Sequence, residues 1–226
     1  MEQKRRFWGL LRHRQCLVPT WRGWLALGFC FVLTAILVGR NLHHFLSLTE
    51  PVPGGLLVVE GWASDPVFEW AQAEFRTNHY ELLVVTGGPL EKGAAFSQYK
   101  NFAELGAATL LKLGMTTNEV QAAPAPLVRR DRTYAAAVAL NDWLHARGLT
   151  VTKVNLITVG PHARRSRLMF QKALGNQVQV GVVALTPDDY DTEHWWRSSA
   201  GVRGVIGEGL AYGYARVWFR EGESGE

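Results

Sequence analysis

The chain predicts a Rossmann-like three-layer α/β domain with a mostly parallel sheet, preceded by one N-terminal transmembrane helix. Two patterns predict it: an uncharged apolar run over 23–39, and short apolar, β-branched runs that alternate with helix-patterned segments along the rest of the chain. Such alternation implies parallel strands joined by right-handed crossovers and covered on both faces.

The apolar run stands at the short end of what crosses a hydrocarbon core of about 30 Å at about 1.5 Å per residue. Trp21 and Trp24 at the interface and a snorkelling Arg22 extend its usable length. Lys4, Arg5, Arg6, Arg12, Arg14 and Arg22 precede it, whereas only Arg40 follows before Arg76. That asymmetry keeps the N-terminus in the cytoplasm and sends the domain outward. A cleaved signal peptide is the competing reading. The run is long for one, and Leu37-Val38-Gly39-Arg40-Asn41 lacks a small-x-small cleavage site. The expected organisation is a basic cytoplasmic tail over 1–22, the anchor over 23–39, a linker over 40–55, one α/β domain over 56–220 and a flexible tail over 221–226.

At 47% hydrophobic and 19% charged residues, the composition is that of a globular protein and excludes a long disordered or low-complexity chain. The net charge of +4 is accounted for by the basic residues ahead of the apolar run, so nucleic acid is not an expected partner. Cys16 and Cys30 both fall outside the domain, which leaves it no disulfide and no metal-thiolate site; no metal is expected. A cysteine-free domain suits an oxidising compartment.

Within the domain, Leu56-Leu57-Val58-Val59 reads as a buried strand that stops at Glu60-Gly61-Trp62. Asp65 as N-cap and Pro66 at the next position open a helix with Val67, Phe68, Trp70, Ala71 and Phe75 at helical spacing. Leu82-Leu83-Val84-Val85 is the second strand, ending in Thr86-Gly87-Gly88. A helix over 97–113 closes on Gly114, and a weak strand follows near Val120. Asp131 or Thr133 starts an alanine-rich helix to about Ala146, and 154–159 forms a strand that leads through Gly160-Pro161-His162 into a helix to Leu174. A strand over 178–185, an acidic aromatic loop and a last helix over 202–218 complete the series.

Ligands of open parallel sheets bind beyond the carboxyl ends of the strands, where loops converge and helix N-termini present N–H groups. The residues that follow the strands here are Glu60-Gly61, Thr86-Gly87-Gly88, 129–133, and Gly160-Pro161-His162 with Arg164, Arg165 and Arg167. All four loops can meet at one rim. Neither G-x-G-x-x-G nor a Walker A loop is present, so dinucleotide binding and P-loop hydrolysis have no motif. Glu60 is placed to activate water or bind a hydroxyl, and His162 to act as acid or base, or to donate to a phosphate; capping of local backbone explains His162 as well. Arg130, Arg132, Arg164 and Arg165 are the candidate anion donors, Thr86, Gly87 and Gly88 a backbone cradle, and Thr133 an N-cap first and a ligand contact second. Ion pairing with Asp131 accounts equally for the arginines around it. One of Trp195 and Trp196 is expected to pack, and Glu208 to pair with an arginine of the rim.

These residues resemble the YdcF/SanA/ElyC family of bacterial envelope-associated proteins, over roughly 56–218. The resemblance rests on Thr86-Gly87-Gly88, Thr133, His162-Ala163-Arg164-Arg165 as the family's His-x-x-Arg, and Trp195-Trp196 with Ser198 and Glu208. The chain departs from the family at Glu60-Gly61-Trp62, where a glycine-rich turn is usual. It departs again at Arg130 through Ala136, where a Ser-x-Asn-Thr-x-Glu-Asn pattern is usual; Ala135 and Ala136 replace that Glu and Asn. The resemblance, taken with the charge asymmetry about the apolar run, implies a single-pass protein of the bacterial inner membrane with a periplasmic domain. It also implies a role in the cell envelope, in peptidoglycan or lipid-carrier metabolism; together with the candidate anion donors, the expected ligand is a phosphorylated or otherwise anionic envelope metabolite. The extra arginines suit a more anionic ligand. S-adenosylmethionine, another ligand the resemblance brings, is cytoplasmic and poorly matched to an outward-facing domain, so the cofactor stays unknown. The alternative is a non-catalytic, membrane-tethered module that holds a partner or lipid head group.

Overall fold

The computed structural model describes residues 18–91 and 93–221. Two compact units divide the chain, one ending at Arg40 and one beginning at Asn41. Lys4, Arg5, Arg6, Arg12 and Arg14 of the expected basic tail, and 222–226 of the expected flexible tail, lie outside the described residues.

Helix α1, Trp21–Leu46, is 26 residues long, about 39 Å at 1.5 Å per residue. It is long and apolar enough to cross a membrane. It outruns the 23–39 segment because no proline or helix-ending glycine interrupts 40–46.

The second unit is a five-stranded, wholly parallel sheet in the order β3-β2-β1-β4-β5. Its strands are β1 Gly55–Glu60, β2 Tyr80–Gly87, β3 Val120–Pro124, β4 Lys153–Val159 and β5 Gln179–Leu185. The helices are α2 Asp65–Thr77, α3 Phe102–Lys112, α4 Arg132–Ala146, α5 Ala163–Leu174 and α6 Ser199–Val217. Strand β1 is central, so both its faces are covered, which is why its sequence is an unbroken apolar run. Leu56, Val58, Val84 and Leu156 pack on one face against Leu140 of α4 and Phe170 of α5. Leu57, Val59, Leu83 and Val85 pack on the other against Phe68 of α2 and Leu110 of α3. Each such side chain contributes about 1.5–3 kcal/mol by leaving water. The result is the three-layer domain that the alternation predicts.

Several boundaries differ from the sequence reading for identifiable reasons. Helix α2 begins at Asp65 with Ser64 before it as N-cap. Helix α3 begins at Phe102 and not near Ser97, because the Asn101 side chain accepts a hydrogen bond from the Glu104 N–H and caps it there. Thr133 is not a cap: α4 starts one residue earlier, behind Asp131 in the left-handed region.

The segment 40–55 is no free linker. Leu46 is fully buried against Trp195 and Val205. Glu50 exchanges backbone hydrogen bonds with Val182 of β5 at 2.8 and 3.1 Å. The buried Asn155 amide bonds the Val52 N–H at 2.8 Å and the Val52 and Gly54 carbonyls at 2.7 and 3.0 Å. A soluble fragment beginning at Asn41 is therefore expected to be more stable than one beginning at Pro51. Loss of Leu46 alone costs about 2–5 kcal/mol; equal denaturant midpoints for the two fragments would contradict this packing.

Candidate functional site

Parallel register sets the floor of the site. Glu60 pairs with Thr86 across β1 and β2, and Val59 with Ile157 across β1 and β4, so Thr86, Glu60 and Thr158 form a row near the carboxyl ends of three adjacent strands. All three share the face of Val58, Val84 and Leu156, toward α4 and α5. Glu60 is 3% exposed. Its carboxylate accepts from Thr158 Oγ1, from Ser166 Oγ at 3.2–3.3 Å and from His162 Nε2 at 3.3 Å.

Beyond β4 the chain turns through a short 3₁₀ segment, Gly160–His162, which delivers His162 to the start of α5. One helical turn on, Arg165 projects on the same side. Glu208, from α6, closes the set: it accepts from His162 Nδ1 at 2.9 Å and from Arg165 Nε and Nη2 at 2.7 and 3.0 Å. Arg165 Nη1 also donates to Thr133 Oγ1 at 3.2 Å. The Trp62 ring meets the His162 ring edge-on at 5.2 Å.

Burial disfavours charge on all four groups, but the partners outweigh it. His162 pays a desolvation penalty, yet Glu60 and Glu208 raise it to about 9. Burial likewise works against the Glu208 carboxylate, while His162 and Arg165 bring it down to about 2. Glu60 is lowered against its own desolvation by His162, Thr158 and Arg165. At neutral pH the set is two anions and two cations, closed on itself. Arg165 Nη2 also lies 3.0 Å from His162 Nδ1. With the imidazolium donating to Glu208 this is a contact of like charges bridged by that carboxylate.

This geometry narrows the roles expected of His162 and Glu60. A ring held as imidazolium, with both N–H groups given to carboxylates, has no lone pair to act as base, which leaves the acid role. Glu60 is enclosed by the donors of Thr158, Ser166 and His162 and holds His162 in place.

A pocket of about 570 Å³ opens above this floor. It is bordered by Thr86, Gly87, Gly88, Arg130, Arg132 and Thr133, so these expected residues do converge with Glu60, His162 and Arg165. Their parts differ. A side chain at Gly87 would strike Phe102 Cβ at 2.7 Å, so this glycine admits α3, whereas at Gly88 the nearest atom would be 3.8 Å away. Arg132 pairs with Glu91, both well exposed, a contact worth under about 1 kcal/mol. Asp131 holds φ 55°, the single non-glycine residue with positive φ among the described ones; aspartate tolerates this better than most residues.

Arg164 is not at the pocket. Two residues past His162 it lies some 200° around the helix, where its Nε donates to the Phe45 carbonyl and its guanidinium sits 4.0 Å over the Phe45 ring. Trp195 is buried against Leu46, so it packs as one of the pair was expected to, and it is not an exposed aromatic.

No family model, curated protein or solved structure matches this chain. The site must be read from its own chemistry.

Thr158, Ser166 and the αL turn at Asp131 were not singled out in the sequence, and Trp62 stood there only as part of the turn after the first strand. Ser166 carried a signal, because it stands one turn after His162 on α5. Thr158 needed the strand register. Thr86 Oγ1 is buried with no hydrogen-bond partner, on a residue that borders the pocket. Among the described residues no group of His, Cys, Asp and Glu is arranged to hold a metal ion.

Replacing Glu208 by Gln leaves two buried cations facing one carboxylate and is expected to cost about 3–5 kcal/mol, read by chemical denaturation; the double variant R165M/E208L should recover much of that loss. The pH dependence follows from the shifts. His162, raised from 6.5 to about 9, contributes fully below about pH 6.5, and its contribution is lost as pH rises through 9. Glu208, lowered from 4.5 to about 2, contributes fully above pH 4.5 and loses its contribution as pH falls toward 2. The thermal midpoint should therefore be highest between these windows and fall on the alkaline side before lysines titrate. A midpoint flat from pH 6 to 9 would contradict the quartet.

Proposed function

We propose that the domain binds a phosphorylated or otherwise anionic envelope metabolite in the pocket beside Thr86, with Arg129, Arg130, the α4 N-terminus and the Gly88 turn as the recognition surface. The observation that carries this reading is the convergence of unanswered donors on one cavity. Thr86 Oγ1 has no partner, and α4 begins without a side-chain cap at Arg132 and Thr133, which border the same space. The lip holds three arginines, Arg129, Arg130 and Arg132, against Asp131 and Glu91, an excess of one positive charge over a neutral floor. Trp62, Phe102, Leu127 and Val128 supply apolar walls, which suits a ligand with both an anionic and an apolar part.

The resemblance to the YdcF/SanA/ElyC family supports placing that ligand in peptidoglycan or lipid-carrier metabolism. The charge asymmetry about α1 supports a single-pass protein of a bacterial inner membrane, with its N-terminus cytoplasmic and its domain periplasmic. A second reading is a non-catalytic module for envelope integrity. It is favoured by the commitment of both His162 N–H groups and by Ala136 at the pocket wall, where the family carries an amide.

The test is a thermal-shift series on the full chain in detergent micelles with inorganic phosphate, nucleotides, sugar phosphates, S-adenosylmethionine and short polyprenyl phosphates. A ligand at 100 times its dissociation constant adds about 2.7 kcal/mol. R130A should reduce the ligand-induced shift, measured against the variant's own unliganded midpoint. No shift with any anion, or a shift that survives R130A unchanged, would move the weight to the non-catalytic module.

A further inference from the structure

Helix α6 presents an apolar stripe that the domain does not cover. Val202, Ile206 and Leu210 follow at intervals of four, and Tyr214, Val217 and Trp218 continue the face. All six are exposed, Leu210 at 73%, Val217 at 67% and Trp218 at 69%. The opposite side of the helix is occupied by the site and by the core: Glu208 closes the quartet, and Val205 and Ala215 are buried.

Three further features say what covers the stripe. First, residues that follow the apolar run seat themselves on this same helix: Leu46 packs on Val205, Leu42 lies over Gly209, and Phe45 meets Tyr212 with ring centroids 5.8 Å apart. The apolar run ends at Gly39, three residues before Leu42 in the sequence. Second, Arg197, Arg203, Arg216 and Arg220 flank the stripe in solvent, while the one carboxylate within α6, Glu208, is engaged in the quartet. Third, Tyr214 and Trp218 are the residue types that settle at a membrane–water boundary. An apolar face with tyrosine and tryptophan and a basic border is the composition of a helix lying in the interface plane.

We propose that α6 docks on the surface of the bilayer that α1 enters, its stripe at the acyl boundary and its arginines among anionic head groups. This goes beyond the ligand reading and rests only on α1 entering a bilayer. Tyr214 belongs to both the stripe and the pocket wall, so docking sets the pocket mouth at the membrane surface.

The test uses the full chain reconstituted in phosphatidylcholine vesicles, with and without phosphatidylglycerol. An environment-sensitive fluorophore is placed by L210C in a C16S/C30S background, by N118C at the opposite end of the sheet, or on native Cys30 within α1 with C16S. Doxyl-labelled lipid should quench the L210C and Cys30 labels at least about twofold and leave the N118C label unchanged, as burial at the head-group boundary requires. Phosphatidylglycerol should deepen the quenching at L210C alone. Quenching on Cys30 without quenching at L210C overturns the docking and leaves the anchor standing; absence at both overturns anchor and docking together. Shielding of L210C from iodide that disappears on dilution of protein in lipid assigns the stripe to a second copy instead and overturns the proposal. Leu210 and Asn118 are exposed, so these labels do not test folding.

Discussion

The closed set of charges among Glu60, His162, Arg165 and Glu208 is the interaction on which the rest of the site depends. It joins β1, α5 and α6, and reaches α4 through Thr133, so four elements are tied together at this end of the sheet beside the apolar cluster of Tyr134, Met169 and Ala215. Buried ions are costly singly, and the pairing geometry is what makes them tolerable. Two anions and two cations within hydrogen-bond distance also give a floor that is neutral overall.

That neutrality changes what the pocket can do. An imidazolium between two carboxylates does not abstract a proton, and Arg165, engaged by Glu208 and Thr133, does not present its fork to a ligand. In the proposed reading, the groups left to meet an anion are the α4 N-terminus, Thr86 and the arginines of the lip, and their low positive excess suits a ligand of small charge with an apolar portion. Strongly shifted groups cluster at functional sites because burial and specific partners are concentrated there, and structural ion pairs produce the same signature. Here the quartet acts through position: it sets the heights of α4, α5 and α6 over the strand ends.

Much of this was legible in the sequence. A mostly parallel sheet followed from the spacing of short apolar runs, and the convergence of four loops followed from where parallel strands end. Helical periodicity alone separates Arg165, which faces His162, from Arg164, which turns to Phe45; treating the two as equivalent overlooked that 100° step. Other features needed three dimensions. Glu60 and His162 are 102 positions apart, and only the register of β1 against β4 brings Thr158 alongside. Gly87 reads as a ligand glycine until Phe102 is seen against it. Residues 40–46 read as linker because their apolar members, Leu42, Phe45 and Leu46, are too few to announce a buried face; their partners, Val205 and Trp195, lie far along the chain.

The most direct measurement is the ionisation of His162 itself, followed by long-range ¹H–¹⁵N NMR of the imidazole nitrogens in the full chain in detergent micelles, with the signal identified by its loss in H162Q. Both nitrogens are expected to be protonated at neutral pH, with a titration midpoint near 9. A neutral ring at neutral pH, titrating at or below 6.5, would contradict it: the two carboxylates would then not hold the ring as a cation, and His162 would be free to serve as a base.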